Sequence, residues 1–290
     1  MEKKELIEST TVIIPVYNER EIIAMTLREL RQECPAVKII VVDDASTDGS
    51  YEEIIKLDIN ITVIKHRYNK GYGASLKTAL KNCNTKYAIF FDADGQHDPK
   101  DIKRLITEIP GYDMVVGART RDSELQKHRK PGKWVLQKVV NLMVEQHIPD
   151  INSGLRIVNT ELARNYLHLL PDKFSFSTTI TMIFMKELLD VKFIPIKTRR
   201  RVGKSTVKYF HDGFTTLLLI IRIIILFDPL KIFIPTSIFI FMFGVIRFIQ
   251  MLIQHEPTTI TSLFGMLTGV LIFFFGLLAD QLASIRRELK

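Results

Sequence analysis

The chain has 290 residues, 47% hydrophobic and 25% charged, with a formal net charge of +8 and two cysteines. That length holds one sizeable α/β domain plus a further element. Cys34 and Cys83 lie far apart without metal-ligand spacing, so they are two thiols with no assigned chemistry. The basic clusters at 127–133 and 197–208 have no nucleic-acid module around them, and no nucleic-acid partner is expected.

The opening Met-Glu-Lys-Lys-Glu-Leu puts charges where a secretory signal needs an apolar core, so the N-terminal domain is expected to stay in the cytoplasm. Short apolar runs at 11–15, 39–43, 61–66, 87–92 and 114–118 are predicted strands, separated by amphipathic stretches such as 21–33. This βαβα rhythm predicts a mostly parallel sheet covered on both faces, with ligands at the carboxyl ends of its strands.

Each distinctive motif falls at such an end. The first is Ile14-Pro15-Val16-Tyr17-Asn18-Glu19, and the second is Val42-Asp43-Asp44-Ala45-Ser46-Thr47-Asp48-Gly49. In the second, Ser46 and Asp48 suit helix capping and Asp43 a solvated turn, but two adjacent acids exceed that need. A carboxylate at a strand end can accept hydrogen bonds from a nucleobase or ribose. Asn69-Lys70-Gly71-Tyr72-Gly73 opens a helix, yet Leu76 replaces the third glycine of a dinucleotide fingerprint and the following acid is absent. Gly203-Lys204-Ser205-Thr206 resembles the end of a P-loop, but Thr198 stands where its first glycine belongs.

The most informative stretch is Phe90-Phe91-Asp92-Ala93-Asp94-Gly95-Gln96-His97-Asp98-Pro99. An apolar strand delivers two acids, one residue apart, to the sheet's end. That geometry suits Mg2+ or Mn2+, which take one or two carboxylates and complete their shells with water and substrate phosphates. Asp98 before Pro99 is expected to cap a helix, and His97 to be an exposed turn residue.

Taken in order, these segments resemble the family 2 glycosyltransferases of the GT-A fold, over residues 10–205. Asp150-Ile-Asn-Ser-Gly-Leu-Arg156 and Arg200-Arg-Val-Gly-Lys-Ser205 are similar to segments of dolichyl-phosphate mannose synthases and related polyprenyl-phosphate glycosyltransferases. Leu155 replaces their Phe and Thr206 their Lys, so that one phosphate-facing cation is either missing or supplied by Lys204 or Lys208. The resemblance implies a nucleotide-sugar donor and a polyprenyl or dolichyl phosphate acceptor. It places Pro15, Tyr17, Glu19, Asp44 and Lys70 around the nucleoside. Asp92, Ala93 and Asp94 fall at the diphosphate, with Asp92, Asp94 and Gln96 on a metal. Arg119 and Arg200 face acceptor or donor phosphate, Arg119 counting also among the nucleotide-sugar-binding residues. Lys204 and Ser205 fall at acceptor phosphate, with Asp92, Asp94 and Arg200 catalytic and Asp150 near a sugar hydroxyl, the acceptor or a turn. An anionic phosphate oxygen attacks in line without a strong general base and inverts the anomeric centre.

From about residue 214 the text becomes runs of Ile, Leu and Phe. The expected organisation is a cytoplasmic domain at 1–209, an interfacial helix at 210–230, membrane spans at 231–254 and 258–280, and a basic tail at 281–290. The link between the spans has no Lys or Arg whereas Arg286, Arg287 and Lys290 follow them, which predicts a hairpin with both termini cytoplasmic. Membrane lipids are then partners, and a homo-oligomer through the spans stays open. A processive polysaccharide synthase usually carries Gln-x-x-Arg-Trp, and the lone Trp134 follows Pro131-Gly132-Lys133 instead. A silent nucleotide-sugar-binding scaffold is the rival from another class, and the intact Asp92, Asp94 and Gln96 set argues against it.

Overall fold

The computed structural model describes residues 3–120, 148–173, 175–199, 221, 224–254 and 260–288. It divides into two compact units, Met1–Asp212 and Gly213–Lys290.

The first unit is built on a seven-stranded sheet. Its strands are β1 (Thr10–Val16), β2 (Lys38–Asp43), β3 (Thr62–Lys65), β4 (Tyr87–Phe90), β5 (Met114–Arg119), β6 (Arg156–Asn159) and β7 (Val191–Ile196), in the order β3-β2-β1-β4-β6-β5-β7. β1 pairs in parallel with β2 and β4, β2 with β3, and β5 with β7. β6 alone runs antiparallel, between β4 and β5. The five expected strands are present within one or two residues at each end. β6 and β7 were not expected, for physical reasons. β6 is four residues long and opens on an arginine, and β7 carries Pro195, which a strand tolerates at the sheet edge where β7 lies.

Every residue of β1 is buried, as a strand covered on both faces requires. The helices of this unit are α1 (Lys3–Glu8), α2 (Ile23–Glu33), α3 (Ser50–Ile55), α4 (Tyr72–Asn82), α5 (Lys100–Glu108), α6 (Thr160–Asn165) and α7 (Phe176–Lys186). α2 sends Ile23, Leu27 and Leu30 into the core, and α5 sends Ile102, Leu105 and Ile106. These are the 3–4 spacings of an amphipathic helix.

In the second unit, α8 (Leu230–Gln254) and α9 (Ile260–Glu288) are each long and apolar enough to cross a membrane. α9 runs beyond the expected span into the basic stretch, as an uninterrupted helix. Large side chains such as Phe239, Ile253 and Phe264 are exposed, while small residues meet between the helices. A Cβ on Gly269 would lie 2.8 Å from the Phe241 backbone. Most of the expected interfacial helix lies outside the described residues. We expect Gly269→Leu to force the two helices apart and lower the midpoint of thermal unfolding in detergent, at a cost of about 1–3 kcal/mol. An unchanged midpoint would show that the helices do not need this close approach.

Candidate active site

The loops after β1 and β2 are tied together by their polar side chains. Asn18 N–H donates to Ser46 Oγ (3.0 Å), Glu19 N–H to Ser50 Oγ (2.9 Å), and Arg20 N–H to Asp48 Oδ2 (3.0 Å), while Thr47 N–H donates to Asn18 Oδ1 (2.8 Å). Asp48 also accepts from Ser50 N–H at 2.9 Å. Asn18 and Ala45 both hold positive φ, 56° and 59°, strained turns that this network keeps in place. Asp43 is a correction to the sequence reading. It is fully buried rather than a solvated turn residue, and its Oδ2 accepts from Ser46 N–H at 3.3 Å.

Between these loops and the end of β4 opens a cleft of about 380 Å³. Pro15, Tyr17, Glu19, Asp44, Asp92, Ala93 and Asp94 line it, so seven of the residues singled out in the sequence meet in one place. Lys70 reaches the same region through its backbone, where its N–H donates to Asp44 Oδ1. Gln96 N–H donates to Asp94 Oδ1 (3.1 Å), and Gln96 C=O accepts from Arg199 N–H (2.8 Å). Arg200, Lys204 and Ser205 lie outside the described residues.

The Asp92 carboxylate is gripped from several sides. Tyr72 Oη donates to its Oδ1 at 2.9 Å, and His97 Nε2 lies 3.5 Å from its Oδ2. Gly154 presses its backbone against the same carboxylate, and a Cβ there would collide with Oδ2. Burial alone raises the Asp92 carboxyl, but His97, the Tyr72 hydroxyl and the Arg119 charge together hold it below the ordinary carboxylate range. Burial and the adjacent carboxylate push the Tyr72 phenol well up, so it remains a donor. His97 is buried against Phe91 and is not the exposed turn residue expected. Asp98 accepts from Lys100 N–H at 3.0 Å, the expected cap of α5, and also pairs with Arg199 at 3.0 Å.

Arg119 meets Asp150 through a two-pronged pair, Nε to Oδ2 at 2.6 Å and Nη2 to Oδ1 at 2.9 Å. Burial opposes ionisation of Asp150, yet the Arg119 fork outweighs it and lowers the carboxyl. Arg156 has no exposed surface. It donates to Ser177 O (2.8 Å), Thr181 Oγ1 (2.7 Å) and Ser153 O, and burial brings its guanidinium down to about 10. It therefore fastens the Ser153–Gly154 wall to the first turns of α7. Sequence reasoning passed over Tyr72, His97 and Arg156 as site residues. The signals available were Tyr72's place between two glycines, and the positions of His97 and Arg156 inside motifs already singled out.

The glycines of Gly71-Tyr72-Gly73 serve packing rather than a dinucleotide. Gly71 has φ 103°, and a Cβ on it would stand 2.5 Å from Asp172 O. A metal ion is accommodated by the chemistry of the donor set: Asp92 and Asp94 offer hard carboxylate oxygens to the cleft. No cluster of three His, Cys, Asp or Glu ligands occurs among the described residues.

The model of Glycosyl transferase family 2 matches residues 11–167 and that of the GtrB C-terminal hairpin matches residues 228–285. The UDP-N-acetylglucosamine–dolichyl-phosphate N-acetylglucosaminyltransferase of Methanococcus voltae is 32% identical over 212 residues, covering 64% of this chain and 84% of its own. The polyprenol monophosphomannose synthase of Mycolicibacterium smegmatis is 30% identical over 213 residues, 68% of this chain and 80% of its own. Glucosyl-3-phosphoglycerate synthase from Mycobacterium tuberculosis, solved with Mn2+, UDP-glucose and phosphoglyceric acid, shares the fold at TM-score 0.60 and 15% identity, covering 77% and 83% of the two chains. The chain belongs to glycosyl transferase family 2: it is a glycosyltransferase of the GT-A fold, and its apolar hairpin makes it membrane-associated.

Two outcomes test this arrangement. Gly154→Ala should cut turnover by about tenfold or more while far-UV circular dichroism stays native, because the added methyl displaces Asp92. Retained turnover would mean that the wall yields freely. Asp150→Asn should cost about 2 kcal/mol at neutral pH by breaking the pair with Arg119. Since folding lowers the Asp150 carboxyl, its contribution is complete above about pH 4 and is lost as pH falls through its lowered native value. Thermal midpoints of the two proteins should therefore converge in acid, and a gap independent of pH would contradict the pairing.

Proposed function

We propose that this glycosyltransferase moves a hexose from a nucleoside diphosphate sugar, of the UDP-glucose or GDP-mannose type, to the phosphate of a polyprenol or dolichol. The single observation that carries the reading is the Asp92–Asp94 pair at the end of β4, facing the cleft, in a chain that also carries a two-helix apolar hairpin. The dolichyl-phosphate and polyprenol acceptors of the Methanococcus and Mycolicibacterium relatives support the same acceptor class.

In this reading Pro15, Tyr17, Glu19, Asp44 and Lys70 surround the nucleoside, and Asp92, Ala93 and Asp94 face the diphosphate. Asp92 and Asp94, with Gln96, would hold Mg2+ or Mn2+. Such an ion, when bound, offsets charge on the departing diphosphate. Tyr72 and His97 fix the direction in which Asp92 presents its oxygens. Arg119, oriented by Asp150, takes acceptor phosphate together with Arg200, Lys204 and Ser205.

The acceptor phosphate has a second pKa of about 6, so an anionic oxygen is available near neutral pH without a strong general base. The protein's task is alignment: the phosphate oxygen attacks the anomeric carbon as the bond to the diphosphate oxygen breaks on the opposite side. One such displacement inverts the centre and releases the nucleoside diphosphate. The hairpin, with both termini cytoplasmic, tethers the transferase domain to the membrane in which a lipid phosphate resides.

The test is incubation of the purified chain with a panel of nucleotide-sugars and a polyprenyl phosphate, with the lipid product identified by mass. A lipid mass increased by one hexose is expected, and absence of any sugar-bearing lipid across the panel would refute the reading. Asp94→Asn keeps the side-chain shape but removes an anionic oxygen, so both metal-dependent donor binding and turnover should collapse. Full metal-dependent turnover in that variant would remove Asp94 from its assigned place.

A further inference from the structure

Asp44 finishes the cleft on the side away from the carboxylate pair. β1 lies between β2 and β4, so Asp44 and Asp92 leave strand ends two sheet spacings apart, about 10 Å. That span is comparable to the distance from the edge of a base to the diphosphate in an extended nucleotide. On the reading given above, that the cleft holds a nucleoside diphosphate, the phosphates go to Asp92 and Asp94 and the base goes to Asp44.

What Asp44 can still accept is set by what it already accepts. A carboxylate has about four acceptor positions, two on each oxygen. On Asp44, 3% exposed, Oδ1 accepts from His66 Nδ1 at 2.7 Å and from Lys70 N–H at 2.9 Å. Oδ2 accepts from Gly71 N–H at 2.7 Å. The donors are themselves fixed: His66 Nε2 meets Thr78 Oγ1 at 2.9 Å, and Gly71 is wedged against Asp172. Turning the carboxylate to free Oδ1 would break three hydrogen bonds at once. One acceptor position remains, on Oδ2.

Guanine presents its N1–H and 2-amino group side by side, a donor pair that a carboxylate reads with both oxygens. Uracil presents one N3–H between two carbonyls and needs a single acceptor. We propose that this cleft selects a uridine diphosphate over a guanosine diphosphate, with Asp44 Oδ2 accepting the N3–H of the base. Unpaired polar groups in a half-matched site carry the discrimination, since the second donor of guanine would lose water and gain no partner. Asn69, exposed at the same rim, can serve a uracil carbonyl with its amide.

Substituting Asp44 would also release the loop it holds, so the test changes the ligand instead. The full-length chain in detergent, with Mn2+ present, is titrated calorimetrically with UDP, GDP and N3-methyl-UDP. UDP should bind about tenfold or more tighter than GDP, and N3-methylation should remove that advantage, the loss of one hydrogen bond. GDP binding as tightly as UDP, as it would if Glu19 read the donor pair, would overturn the inference and leave the proposed transferase standing. N3-methyl-UDP binding as well as UDP would also overturn it. Failure of all three to bind would overturn both the inference and the reading on which it rests.

Discussion

The Asp92 carboxylate lies where three independent parts of the chain converge: a phenol from the first turn of α4, an imidazole from the loop before α5, and a glycine backbone from the approach to β6. Each restrains a different direction of movement, so the carboxylate cannot turn without displacing a helix end or a strand. A side chain with several free rotors would lose entropy on binding a charged ligand. Here much of that cost falls on folding, which is what preorganisation means at an electrostatic site. The lowered Asp92 carboxyl follows from the same arrangement, because the groups that orient the side chain also favour its charge.

The rest of the cleft follows the same logic with different partners. Asp44 gathers His66, Lys70 and Gly71, and Arg156 gathers Ser153, Ser177 and Thr181. A fully buried guanidinium is expensive to desolvate; the two terminal nitrogens of Arg156 find acceptors, while its Nε has none among the described residues. In Arg156 that cost is spread over two backbone carbonyls and a hydroxyl that form cleft wall, so the charge fastens wall to helix. The result is a nucleotide-sized cleft whose polar groups are largely committed before any ligand arrives.

Much of this was legible in the sequence where the signal was local. The buried strands announce themselves by continuous Val and Ile, and acids immediately after such a run must emerge at a strand end, which fixed Asp44, Asp92 and Asp94 in one region. Tyr72 and Arg156 were illegible as site residues because their roles depend on partners far along the chain. Tyr72 meets a carboxylate twenty residues on, and Arg156 finds its acceptors on α7. Histidine after a turn and arginine at a strand start are ordinarily solvated, so local reasoning put His97 outside and passed over Arg156. β7 was missed because Pro195 and Lys192 interrupt its apolar run, a pattern that only an edge position excuses. The two apolar helices needed no tertiary knowledge, since length and composition alone mark them.

At the centre of the proposed function are two carboxylates that could not by themselves fill an octahedral shell and that, on this proposal, bind a divalent ion together with a diphosphate. Titration of Mn2+ into the full-length chain, with the free ion followed by electron paramagnetic resonance, tests this directly when repeated with saturating UDP or GDP. The account predicts weak Mn2+ binding alone and binding at least about tenfold tighter with the nucleotide the cleft accepts. Mn2+ affinity that is the same with and without either nucleotide would contradict it.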